Sequence, residues 1–257
     1  ALTAPTTICP SESVTISVAT TSQATYTFYV GGTQQQESSS ATFTTTGISR
    51  TSSVVITITN ASGCSETVST VINVVDLEDG GSITPTNSTI CMGGDSPSIS
   101  NLVSATLEDY SSAASITYFW EQSFDTVSWT TVAGTESSLA AAAVTGIVTT
   151  TYFRRGAEVV NGDSDSCEIL YTIPITVNVE ASITPTISSS TGAFTFCVGD
   201  SPTFESQTIP AGVVTYTWSY FNGTSTVTST GTGTTTEVTI VANGYIQLDI
   251  LTAAGCE

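Results

Sequence analysis

Three stretches of this chain follow one plan. "APTTICPSESVTIS", "ITPTNSTICMGGDSPSIS" and "ITPTISSSTGAFTFCVGDSPTFES" each bring a cysteine, Cys9, Cys91 or Cys197, ahead of a hydroxyl-rich run. A Thr-Tyr-x-Phe/Trp tetrad follows each cysteine: Thr25-Tyr26-Thr27-Phe28, Thr117-Tyr118-Phe119-Trp120 and Thr215-Tyr216-Thr217-Trp218. A second cysteine closes each copy, Cys64, Cys167 or Cys256, and glycine precedes two of these, in "ASGC" and "AAGC". Copies recurring at roughly 80 to 100 residues are each large enough for a core of their own. The expected domains are 1–77, 78–181 and 182–257.

Within the first copy, "SVTISVA" alternates Val14, Ile16 and Val18 with hydroxyl residues, and "ATYTFYV" sets Tyr26, Phe28 and Val30 on one face. "SATFTTT", "SVVITIT" and "ETVSTVINVV" continue the period-2 pattern of strands with one buried face. Gly31-Gly32, Gly47 and "NASG" at 60–63 punctuate them as turns. The usage of Ser, Thr, Val and Ile, with 10% charged residues, is that of β-structure and not of helices. The expected fold is all-β: three tandem immunoglobulin-like β-sandwich domains in an extended array. The final strand of the second copy, "YTIPITVNV", alternates Ile173, Ile175, Val177 and Val179, and its Pro174 suggests an edge position.

Six cysteines allow 15 pairings, and the repeat pattern selects one: Cys9 with Cys64, Cys91 with Cys167, and Cys197 with Cys256. Each bridge should clamp one end of its own sandwich, stabilising it by roughly 4 kcal/mol in the loop-entropy picture. Disulfide staples imply an oxidising, extracellular setting.

Net charge is -19, with 3 Lys+Arg against 22 Asp+Glu and no histidine. Nucleic acid is excluded as a partner because phosphate binding needs a cationic surface, and anionic membrane is disfavoured for the same reason. No run of 18 apolar residues is present, so no membrane insertion is expected. Without His or Lys there is no Ser-His-Asp or Cys-His nucleophile pair, no Schiff base and no imidazole metal ligand. Paired carboxylates remain chemically available, but no stretch sets two in an apolar context, so no enzyme is expected. The absence of lysine also rules out Lys-Asn isopeptide staples.

The second copy carries the most specific resemblance. Its "ITYFWEQSFDTVSWTTVAG" and "TTTYFRRGAEVV", with the "I-x-P-T... C-x-G-D-S" openings, resemble the tandem Ig-like repeats of giant Bacteroidota cell-surface adhesins. These include the SprB-like gliding-motility adhesins exported by type IX secretion. The resemblance implies a segment of a long surface filament used for attachment or gliding. Its partners would be neighbouring repeats of the same chain, surface polysaccharide or substratum, and an anchoring or motility machinery outside this segment.

Several residues are candidates for a site. "NGDSDSCE" sets Asn161, Asp163, Asp165 and Glu168 around Cys167, and alternate oxygen ligands of this kind begin calcium loops. A solvated hairpin turn uses the same residue types. "VVDLEDGGSITP" brings Asp76, Glu78 and Asp79 to the first junction, where calcium could bridge two domains. No other cofactor is implied. Trp120 and Trp218 read as core anchors, and Trp129 as a partly buried packing residue with a sugar-stacking face as its alternative. "DTV" resembles the O-glycosylation acceptor of these bacteria, with Thr126 as acceptor; sequons at Asn60, Asn87 and Asn222 mean little unless the host performs N-glycosylation.

The leading expectation is a non-enzymatic structural or adhesive repeat segment. The alternatives are carbohydrate-binding modules of a larger secreted protein, or a pilin-like subunit completed by strand donation. "YIQLDILTAAGCE" corresponds to the first copy up to Cys64, so the third domain is expected to lack its last strand, with the polypeptide continuing beyond it.

Overall fold

The structure, a computed structural model, describes residues 1–257 apart from 109–114, 162–165, 210–212, 232 and 257. All regular structure among the described residues is β. The first repeat supplies β1 (Leu2–Thr3), β2 (Thr7–Ile8), β3 (Val14–Val18), β4 (Thr25–Val30), β5 (Thr33–Ser38), β6 (Thr42–Thr45), β7 (Ser52–Thr59) and β8 (Ser65–Val74). The second supplies β9 (Leu77–Asp79), β10 (Ser82–Thr84), β11 (Asn87–Cys91), β12 (Ser100–Val103), β13 (Thr106–Leu107), β14 (Ile116–Ser123), β15 (Thr130–Val132), β16 (Thr151–Val160), β17 (Ser166–Tyr171) and β18 (Ile175–Glu180). The third supplies β19 (Ile187–Ser189), β20 (Thr203–Ser206), β21 (Val213–Phe221), β22 (Thr226–Gly231), β23 (Thr235–Glu237) and β24 (Tyr245–Thr252).

The residues group into two compact units. One comprises Ala1–Thr86, Ile99–Ala140 and Phe153–Ile175; the other comprises Asn87–Ser98, Ala141–Tyr152 and Thr176–Glu257.

In the first unit, the first repeat is a sandwich of two sheets, ordered β1-β3-β6 and β2-β8-β7-β4-β5. Its alternating strands explain the layering. Val14, Ile16 and Val18 of β3 face Tyr26 and Phe28 of β4, Val54 and Ile56 of β7 and Ile72 and Val74 of β8, all buried in one cluster. The polar β5, "TQQQES", lies at a sheet edge against β4, joined to it through Gly31-Gly32. Beyond β8, Val75 and Leu77 enter a separate buried cluster with Ala105, Ala157 and Val159 of the second repeat. The residues between the first two repeats therefore serve as core, with β9 pairing β13 antiparallel.

In the second unit, β11 runs parallel to β18, with Cys91 opposite Glu180. The third repeat forms sheets β19-β20-β23 and β22-β21-β24 around Phe204, Tyr216, Trp218, Leu248 and Ile250. Beside β24, the counterpart of β7, no equivalent of β8 is present among the described residues.

Two expectations are corrected here. Pro174 lies in no strand: residues 172–174 separate β17 from β18, because proline cannot donate to a ladder, and Ile173 is left 87% exposed. The cysteines also pair differently. The bridges are Cys9–Cys167 and Cys91–Cys256, while Cys64 and Cys197 are free and exposed. The reason lies in the length of β8. Cys9 follows Ile8, which is opposite Val74 at the end of that strand, whereas Cys64 precedes its start at Ser65. Ten residues of strand separate the two cysteines by roughly 30 Å, far outside the reach of a disulfide. The bridge thus joins successive repeats and does not clamp one sandwich.

Candidate functional site: the junctions between repeats

The cysteine opening each repeat sits on a tight turn. Cys9 N–H donates to Glu12 Oε2 at 2.8 Å, and the Glu12 N–H returns to the Cys9 carbonyl at 3.2 Å. Ser11, between them, has φ of 60°, a left-handed conformation unfavourable for most side chains. From the same turn, Glu12 Oε2 also accepts the amide of Asn161 at 3.3 Å. Asn161, a sequence candidate for calcium, is thus buried and directed at the first repeat's turn. Asp163 and Asp165 lie outside the described residues.

The other acidic candidates divide. Glu168 Oε2 accepts the Leu77 N–H at 3.1 Å, and Asp76 Oδ1 accepts the same N–H at 3.0 Å, so the two carboxyl groups meet at one donor. Burial first, and then that contact with Asp76 and the nearby charges of Asp76 and Glu108, push the Glu168 carboxyl above its ordinary range. Asp76 and Glu108 also line a cavity of about 290 Å³ with Arg50 and Pro10. Glu78 is exposed, and Asp79 Oδ1 accepts the Gly81 N–H at 2.7 Å in a local turn. The two carboxylate groups read separately in the sequence therefore contribute one member each, Asp76 and Glu168, to one contact. Among the described residues no group of three His, Cys, Asp or Glu side chains is disposed to hold a metal ion.

At the other junction, the end of β18 plays the part of β8. Glu180 O accepts the Met92 N–H at 2.8 Å, and Glu180 Oε2 accepts the Thr252 hydroxyl at 2.6 Å, beside the Cys91–Cys256 bridge.

Sequence reasoning missed Arg155. It is fully buried with no carboxylate partner among the described residues, and its guanidinium serves four oxygens: Asn101 Oδ1 (2.6 Å), Ser137 O (3.0 Å), Gly80 O (3.0 Å) and Val103 O (3.2 Å). The ring of Tyr118 lies 4.5 Å from the guanidinium carbon. Burial lowers its pKa, although the group stays cationic at any ordinary pH. Gly81, with φ of 76°, passes so close that an added Cβ would fall 2.6 Å from the guanidinium and 2.3 Å from Val103 O. Arg155 therefore ties the inter-repeat segment to the body of the second repeat. The available signal was a doublet, Arg154-Arg155, in a chain with only 3 cations.

The neighbouring Arg154 faces the other way. It bonds Glu121 at 2.7 Å and lies between the rings of Trp129 and Tyr171, at 4.1 and 3.7 Å. One face of Trp129 is thus covered by a guanidinium, while Trp120 and Trp218 are in the core. Thr126 sits in an exposed turn at φ of 62°, its hydroxyl donating to Asp125 O at 2.6 Å. Backbone N–H groups of Ser128 and Val127 and the Ser123 hydroxyl hold the Asp125 carboxyl down at about 2.

A domain of unknown function, DUF8696, matches residues 79–181. Comparison with curated proteins finds no match. Among solved structures, the fibronectin(III)-like modules of Clostridium thermocellum CbhA align at 13% identity over 70% of this chain and 95% of theirs, with a TM-score of 0.28. Titin domains A168-A170 align at 12% identity over 99% of this chain and 94% of theirs, with a TM-score of 0.38.

Proposed function

We propose that this chain is a non-catalytic structural segment of an extracellular, surface-attached adhesive filament, in which Ig-like repeats are joined covalently to their neighbours. The observation that carries this reading is the bridge connectivity: Cys9–Cys167 and Cys91–Cys256 each tie one repeat to the next. Such bonds transmit tension past the backbone connection, a property suited to a load-bearing protein. They also require oxidising conditions, in keeping with a location outside the cytoplasm. Attachment or gliding as the cellular role, and type IX secretion as the route, rest on the resemblance of "ITYFWEQSFDTVSWTTVAG" to gliding-adhesin repeats. Thr126 is carried in this proposal as an exposed O-glycan acceptor.

Cells lacking the gene should lose attachment or gliding, and an antibody against these repeats should label intact wild-type cells. Unchanged attachment and motility in the deletion strain would overturn the adhesive role. The carbohydrate-module reading is weakened by the Arg154 guanidinium over Trp129, which occupies a face a sugar would need.

A further inference from the structure

Both bridges obey one rule: the cysteine that opens a repeat is bonded to the cysteine that closes the next. Under that rule Cys197 is an opening cysteine and Cys64 a closing one, each left unbonded.

A second observation is independent of the sulfur atoms: the turns around the free cysteines already have the geometry of the bonded ones. At the opening position, Cys197 N–H donates to Asp200 Oδ2 at 2.8 Å, and Asp200 N–H returns to Cys197 O at 3.1 Å. This reproduces the reciprocal pair of Cys9 and Glu12, at 2.8 and 3.2 Å. The second residue after each opening cysteine is left-handed: Ser11 at 60°, Gly93 at 79° and Gly199 at 99°. At the closing position, Asn60 N–H donates to Cys64 O at 3.0 Å, Gly63 N–H to Asn60 O at 3.0 Å, and Cys64 N–H to Asn60 Oδ1 at 3.0 Å. Around the bonded Cys256, Thr252 N–H donates to Cys256 O at 3.1 Å, Gly255 N–H to Thr252 O at 3.0 Å, and Cys256 N–H to Thr252 Oγ1 at 3.2 Å. Gly63 and Gly255 share φ values of 82° and 80°. Each free thiol is thus held on the same turn as a thiol that has found its partner.

We infer that Cys64 and Cys197 are complementary halves of an inter-repeat bridge. Cys64 takes the opening cysteine of another repeat of this kind, and Cys197 takes a closing cysteine, so that arrays join head to tail. Cys64 belongs to the end of its sandwich away from Cys9, as the rule requires. The reaction consumes one external disulfide of the oxidising compartment. One cysteine thiolate attacks it, forming a mixed disulfide and releasing one thiol. The second cysteine's thiolate displaces the other. Two S–H bonds are lost, one protein S–S bond forms, and the oxidant takes up two electrons and two protons. The inference rests on the structural reading above, but its test reads sulfur connectivity alone, so failure of the bridge and failure of attachment are distinguishable.

A second copy of this chain serves as the probe. Cys64→Ser retains only Cys197 as a free thiol, and Cys197→Ser retains only Cys64. The two variants are mixed in equal amounts, oxidised with glutathione disulfide and mapped by non-reducing peptide mass spectrometry. The expected product is the mixed dimer, Cys197 bonded to Cys64, in about tenfold excess over the two like dimers, a preference of about 1.4 kcal/mol. Statistical pairing, like dimers in excess, glutathione adducts without dimer, or native chains holding Cys9–Cys64 or Cys197–Cys256 bonds would each overturn it.

Discussion

Arg155 shows how one side chain can organise a junction. An arginine without a carboxylate partner is costly to bury, and here the cost is offset by four carbonyl-type acceptors from three separate segments, together with the face of Tyr118. Its Nε is buried with no hydrogen-bond partner among the described residues, so the site is fitted to the two terminal nitrogens. Arg155→Ala leaves Gly80 O, Val103 O and Ser137 O without this donor and should destabilise the chain by about 3 kcal/mol. Arg155→Lys should recover part of the loss, because an ammonium cannot span the same fork. Urea unfolding followed by tryptophan fluorescence measures both; a midpoint within error of wild type for Arg155→Ala would show that the staple is dispensable. The cationic doublet was visible in the sequence, but its division of labour was not. Alternation along β16 turns Arg155 inward and leaves Arg154 on Trp129 and Tyr171, and only the partners from other strands determine which side chain is buried.

At the scale of elements, strands with an apolar face were legible and strands without one were not. β3, β4, β7 and β8 carry Val, Ile, Tyr or Phe at alternate positions; β5 is glutamine-rich and solvent-facing, so only the Gly31-Gly32 turn announces it. Ile173 fits the alternating pattern but is exposed, because Pro174 breaks the ladder before the face can be buried. The contact between the segment after β8 and β17 is likewise invisible in sequence order, since Asp76 and Glu168 lie far apart in the chain. It has a pH signature. The Glu168 pKa is raised in the folded state, so folding takes up a proton, and stability is greatest below the ordinary glutamate value and falls as pH rises through the raised one. Glu168→Gln keeps an oxygen for the Leu77 N–H and offers Asp76 a donor. The variant should therefore unfold at higher temperature than wild type at pH 7 and match it at pH 4. An equal shift at both pH values would remove the carboxyl titration as the cause.

For the whole molecule, the number of cysteines and their repeat positions were evident in the sequence, whereas the choice between bonding within a repeat and bonding to the next depended on strand length. The eight residues of β7 and ten of β8 place the closing cysteine at one end of the sandwich and the opening cysteine at the other. A repeat pattern alone cannot distinguish the two pairings, because both are equally periodic. The observed pairing has a thermodynamic consequence that the expected one lacks. Bridges inside sandwiches would stabilise each repeat separately, while Cys9–Cys167, together with Val75 and Leu77 in the core of the second repeat, couples the first repeat to the second. With a sequence separation of 158, its loop-entropy contribution is about 5 kcal/mol. Cys9→Ala with Cys167→Ala should lower the unfolding temperature of the first two repeats and broaden their shared calorimetric transition or divide it in two. Reductant should do the same to the wild type and leave that part of the variant's trace unchanged. A bridge confined to one repeat would instead lower a single transition without uncoupling its neighbour, so the shape of the trace, more than its midpoint, discriminates between the two connectivities.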